Sequence, residues 1–198
     1  MPKVVNLQNL RVSFLAQTDL LDENMHPAQG KSGVASLTKE HLSGAIKRAR
    51  VSSDIVIVAL HTVGNVYAGF SFFPDEHQKM YYRLAIDYGA NIVVGHQPHG
   101  MQLIERYRDG LIFYSLGALL YDPKLAEILN PSDYYYKTTR IHGGCLVAFK
   151  LCSNGIHDFV AKPTRSTKND VENTLHLVPD SLLMRVGAGI LKMYTVFS

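Results

Sequence analysis

Asn91-Ile92-Val93-Val94-Gly95-His96-Gln97-Pro98-His99 joins an apolar run to two imidazoles within nine residues. Ile92 to Val94 read as a short strand buried on both faces. Gly95 gives the backbone a sharp exit, and Pro98 fixes the path between His96 and His99. Neutral imidazole is the commonest nitrogen ligand, so two histidines leaving a strand end are a candidate half of a metal site. The alternative is a polar loop whose histidines bond only to backbone.

Working outward, Asp54 to Leu60 (Asp-Ile-Val-Ile-Val-Ala-Leu) is a second buried strand, with His61 directly after it. Between the two strands, Pro74-Asp75-Glu76 opens a helix that reaches about Tyr88 and stops at Gly89. Upstream, Arg11 to Ala16 alternates as a strand. A helix led by Thr38 and Glu40 runs to about Arg50, with Leu42, Ile46 and Ala49 on its apolar face. The order β-α-β-α-β implies a parallel sheet with helices against it. Ligands of such sheets bind at the carboxyl ends of the strands. His61, His96 and His99 all fall there, enough for one zinc-like ion with an open position. Asn65 adds one weak oxygen, and Asp54 stands at the opposite end of its strand. A two-metal centre generally needs bridging carboxylates as well.

Downstream, Met101 to Tyr107 and Leu111 to Ser115 flank Arg108-Asp109-Gly110 as a hairpin-like pair with a turn glycine. Cys145 to Leu151 and His157 to Ala161 form a second pair. The pattern weakens after Lys162. Ser115 lacks a nucleophile-elbow context, His77 reads as a solvated first-turn residue, and Tyr134-Tyr135-Tyr136 reads as loop packing.

The 198 residues are 46% hydrophobic and 19% charged, with a net charge of +3. These values fit an ordinary folded domain and argue against a dedicated nucleic-acid binder. Lys47, Arg48 and Arg50 cluster at a helix end, where cations suit the dipole. The two cysteines, Cys145 and Cys152, share one strand and its turn, so a structural disulfide is not expected. No run approaches the roughly 18 apolar residues that span a bilayer, and the first residues show no signal-peptide core.

From Asp54 to Asp122 the chain resembles the capsule-synthesis proteins of the CapA or PgsA type, associated with poly-gamma-glutamate. The residues that carry the likeness are His61-Thr62-Val63-Gly64-Asn65, then Gln78 leading a helix. Gly89-Ala90-Asn91-Ile92-Val93-Val94-Gly95-His96-Gln97-Pro98-His99 follows, then Tyr114-Ser115-Leu116-Gly117-Ala118 and Tyr121-Asp122. The family pattern is H-W-G-x-E, a glutamine-led helix, G-A-D-x-V-x-G-H-H-P-H and Y-S-L-G-N-F-x-x-D. Three positions depart from it: Asn65 replaces glutamate, Gln97 replaces the middle histidine, and Ala118 replaces asparagine.

The resemblance implies an α/β, partial metallophosphoesterase-like layered sheet with flanking helices and C-terminal antiparallel hairpins. Residues 1–165 would be the C-terminal portion of the family domain, Met1 beginning partway through it, and residues 166–198 a tail without an assigned role. It implies a divalent metal ion, zinc or manganese, on His61, His96 and His99, with Asn65 and Gln97 as secondary contacts. Such a site would serve metal-dependent hydrolysis in an intact relative. The alternatives are a non-catalytic accessory or binding protein on the same scaffold, or a truncated gene product. The expected partners are polyglutamate or the capsule-synthesis machinery, and the family usually acts outside the membrane.

Overall fold

Strand β3, Ile55–His61, is buried along most of its length and has a strand on either side. The computed structural model describes residues 2–20, 33–62, 73–98, 100–117, 143–152, 155–168 and 173–177. In chain order these form β1 (Lys3–Leu7), β2 (Leu10–Thr18), α1 (Lys39–Ser52), β3, α2 (Glu76–Asp87), β4 (Ile92–His96), β5 (Ile104–Tyr107) and β6 (Gly110–Phe113). Then come β7 (Gly143–Cys152), β8 (Gly155–Lys168) and β9 (Asn173–Leu177). The first sheet runs β1-β2-β3-β4-β6-β5, and the second runs β7-β8-β9. β2, β3, β4 and β6 are parallel neighbours, while β1 and β5 close the two edges antiparallel.

Both helices cover one face. Thr38 caps α1, its hydroxyl accepting from His41 N at 3.1 Å. Leu42, Ile46 and Ala49 then pack onto Val56, Val58 and Leu60. Asp75 and Gln78 form a reciprocal capping box on α2 (2.7 and 3.1 Å), which satisfies two backbone donors at once. α2 ends at Gly89, whose φ of +109° is a left-handed conformation that suits glycine. The other face carries Val12, Ile55, Ile57, Ile92, Leu111 and Phe113 against Cys145, Ile156 and Ala161 of the second sheet. The molecule is thus a helix layer, a mixed sheet and an antiparallel sheet: the α/β layering expected from the sequence.

Three local details differ from the sequence reading. β1 was not expected, because Val4-Val5 lies among polar residues; it exists as an edge strand with its turn at Gln8, φ 52°. Gly110 does not provide the turn conformation of the β5–β6 hairpin, which Arg108 takes with φ 51°. Gly110 instead lies under α2, where a Cβ would stand 2.5 Å from Ile86 Cδ1. β8 also runs to Lys168 and β9 pairs with it, beyond the point where the pattern weakens. Cys145 is buried, Cys152 is exposed, and both are free thiols.

Candidate metal rim at the carboxyl edge

His61 and His96 close β3 and β4 and stand opposite each other in the parallel register. Side chains alternate along a strand. Val58 and Leu60 face the helices, as does Val93, so His61 and His96 both project from the other face, at the carboxyl edge. Thr18, the last residue of β2, is in register with His61. Its hydroxyl lies 2.9 Å from His61 Nδ1, and Nε2 of that ring has no hydrogen-bond partner among the described residues. His96 is exposed at the rim. The protein around its ring desolvates the charged form and, with the neighbouring His61, holds its pKa below the ordinary value. At neutral pH His96 is an uncharged imidazole with a lone pair to offer.

Behind the rim is a packed support. Gly95 has no room for a side chain: a Cβ would stand 2.0 Å from Tyr114 O and 2.5 Å from Tyr82 Cε2. The Tyr82 and Tyr114 rings stack at 5.3 Å. The Tyr82 hydroxyl donates to Leu60 O and lies within hydrogen-bond reach of Thr62 Oγ1, both at 3.2 Å, and it meets the backbone of His96. Burial pushes that phenol up to about 12. One tyrosine therefore joins the ends of both histidine-bearing strands. Tyr114 donates to Glu105 Oε2 at 2.7 Å, and Glu105 is gripped by Arg83 at 2.7 and 3.1 Å. Ser115 Oγ donates to Pro98 O at 2.9 Å and accepts from Gly117 N at 3.2 Å. The hydroxyl that is unsuited to nucleophilic work thus anchors the histidine loop.

Of the expected site residues, His61, His96 and Gln97 come together, while His99 and Asn65 lie outside the described residues. Gln97 has a φ of +102°, a left-handed backbone that few non-glycine residues adopt. Tyr134-Tyr135-Tyr136, Ala118 and Tyr121-Asp122 also fall outside. Among the described residues, no three His, Cys, Asp or Glu side chains are grouped to hold a metal ion. His77 is not simply solvated: its Nε2 lies 2.6 Å from Asp19 Oδ2, joining α2 to the end of β2. The sequence reading missed Thr18 and Tyr82, which nothing but strand register and helix placement brings to the site. Gln78, part of the motif likeness, has a structural role: it caps α2 and bonds Gln102 at 3.2 Å.

The class is therefore an α/β layered protein with imidazoles at the carboxyl edge of its parallel strands. Residues 1–123 match the family described as bacterial capsule synthesis protein PGA_cap, and the chain belongs to that family. It is 29% identical over 157 residues to the PGA biosynthesis protein CapA of Bacillus subtilis (strain 168), covering 79% of this chain and 37% of the relative. It is 31% identical over 154 residues to the capsule biosynthesis protein CapA of Bacillus anthracis, covering 76% and 33%. The chain thus spans about a third of the length of these curated relatives. A solved structure of Thermus thermophilus sulfate thiohydrolase SoxB in complex with glycerol matches with a TM-score of 0.46 at 13% identity, over 90% of this chain and 24% of that one. Among the described residues no helix is long and apolar enough to cross a membrane.

Proposed function

We propose that this chain serves capsule-polymer synthesis, of the poly-gamma-glutamate kind, through a divalent-metal site at the rim of β3 and β4. His61 and His96 are two ligands, His99 is the third, and Asn65 and Gln97 stand beside them as weak or outer contacts. The observation that carries the reading is the pairing of His61 with His96 on one face, with Thr18 fixing the His61 ring. A metal-bound imidazole commonly has its other nitrogen held by an oxygen partner, and loss of that partner weakens binding. The described residues fit a metal in the kind of donor and fall short in number. A zinc or manganese ion there would polarise an ester or amide centre and acidify a bound water. The chain's own residues orient the imidazoles, and Ser115 pins the loop that bears His96.

The reading favoured for catalysis is that this chain alone is inactive: a binding or accessory protein on a metallophosphoesterase-like scaffold. Asn65, Gln97 and Ala118 each replace a charged or coordinating group of the family pattern. Titration calorimetry with zinc and with manganese tests both parts. Binding at micromolar metal that His61→Ala and His96→Ala each remove supports the site, and no binding overturns it. Cleavage of a generic phosphodiester by the metal-loaded chain overturns the accessory reading.

A further inference from the structure

We propose that Gln78 is a positioning residue of the histidine rim, acting through Tyr82: one buried amide ties the cap of α2 to the last rung between β3 and β4. This role presupposes the metal site proposed above and concerns what holds its two imidazoles at a fixed spacing. Gln78 and Gln102 are each 3% exposed, and Tyr82 is wholly buried. Gln78 Oε1 accepts from Asp75 N at 3.1 Å, closing the capping box. Its Nε2 donates to Gln102 Oε1 at 3.2 Å, and the same amide bonds the Tyr82 hydroxyl. Gln102 is fixed in turn, Nε2 donating to Phe73 O at 3.4 Å and its backbone N to Ser115 O at 3.0 Å.

The cap alone does not call for an amide. Glutamate serves a capping box as well as glutamine does, and an ionised glutamate brings no donor. A glutamine carries two N–H donors, and here they meet two acceptors, Gln102 Oε1 and the phenol oxygen. The phenol completes the path. It donates to Leu60 O at 3.2 Å and meets the backbone of His96. Those two groups belong to the final register pairs of the strands, Leu60 with Gly95 and His61 with His96. Thr62, just past β3, has its hydroxyl 3.2 Å from the same phenol. Buried bonds of this kind gain strength from the low dielectric around them.

Tyr82 lies on the helix side of the sheet, opposite the two imidazoles, so it reaches them only through backbone. β3 and β4 both end at their histidines, and element ends are where structure frays. Neighbouring strands stand about 4.8 Å apart, and the hydroxyl keeps that spacing where the ladder stops. An ion shared by both rings needs each nitrogen about 2.0–2.1 Å from one centre, so opening the rung by about 1 Å removes a ligand.

Gln78→Glu and Tyr82→Phe separate the cap from the rung. Gln78→Glu keeps the capping oxygen and removes both donors; Tyr82→Phe keeps the ring against Tyr114 and removes the hydroxyl. Zinc affinity by calorimetry is expected to fall about tenfold in Tyr82→Phe and about threefold in Gln78→Glu. The control is Asn91→Ala, which strips a partner from Val56 N at the amino end and should bind zinc as the unaltered chain does. In metal-free protein, each of the two variants is expected to speed hydrogen exchange of the His96 amide about fivefold relative to Val93. The nuclear Overhauser contact between the His61 and His96 rings should weaken with it. A glutamine that only caps predicts normal affinity and normal His96 exchange in both variants, and that result overturns the proposal. So does a loss of affinity no larger than that of Asn91→Ala. If the unaltered chain binds no zinc, the metal reading fails by itself, and the metal-free exchange of His96 still decides whether Gln78 and Tyr82 hold the rung.

Discussion

The two ends of the same parallel strands are built on opposite terms. At the amino end nearly every polar group is matched. Asp54 accepts from Arg11 N at 2.8 Å and from Arg11 Nη2 at 3.1 Å, and these bonds hold its carboxyl below the usual range. Asn91 Oδ1 accepts from Val56 N at 2.9 Å, while Asn91 N donates to Val56 O at 2.8 Å. Arg50 adds bonds to Asp54 O at 2.8 Å and to Asn91 Oδ1 at 3.4 Å. At the carboxyl end, His61 keeps one nitrogen without a partner among the described residues, His96 is exposed, and Gln97 holds an unfavourable backbone angle. One end is closed by its own side chains; the other presents two imidazoles side by side at an open edge. On the proposed reading stability and function are separated along the strand axis, and each half can be attacked alone.

The severest attack is Gly95→Ala. A Cβ 2.0 Å from a carbonyl oxygen cannot be accommodated without moving β4 from β6 or displacing Tyr82. The expected loss is about 3 kcal/mol of stability, read by urea denaturation, together with loss of metal binding. A stable variant with normal metal affinity would break the link between tyrosine support and rim. Next is Asn91→Ala at the closed end. It strips the partner from the buried Val56 N–H and should cost about 1–3 kcal/mol, while metal affinity per folded molecule stays unchanged. A parallel fall in affinity would show that the ends are not separate.

Thr18→Val inverts the pattern. It removes the hydroxyl that holds His61 while keeping the shape, so metal affinity should fall about tenfold with denaturation shifted by less than about 1 kcal/mol. Calorimetry and urea melts on the same sample check both. The smallest effect concerns pH. His96 has a folded-state pKa below its ordinary 6.5, from desolvation first and from His61 second. The unfolded chain therefore takes up the proton first. Its contribution to stability is full above pH 6.5 and is lost as pH falls through the folded-state value. His96→Asn should flatten that part of the stability profile, and an unchanged profile would place the ring in a more watery setting.

Much of the layering is legible from residues alone, since Ile55 to Leu60 and Ile92 to Val94 are too apolar and too short to be anything but buried strands. Thr38, Pro74-Asp75-Glu76 and Gly89 punctuate the helices where the structure has their ends. The site is only half legible. Two histidines after two such strands announce a shared edge. Register decides whether they face each other, and pairing across residues 61 and 96 leaves no local trace. Thr18 is invisible for the same reason, being an ordinary strand-end threonine until β2 is aligned with β3. Tyr82 has helical spacing like any core residue, and only the flat surface of Gly95 above it makes it a support. β1 went unread because an edge strand needs little hydrophobic signal, and β9 because it follows a stretch without clear alternation.

Gln97 bears on the path this loop takes. A residue preceding proline is ordinarily restricted to extended torsions, yet this one holds φ +102° between His96 and Pro98. The direction in which the chain leaves His96 is therefore set by a single strained torsion rather than by the strand before it.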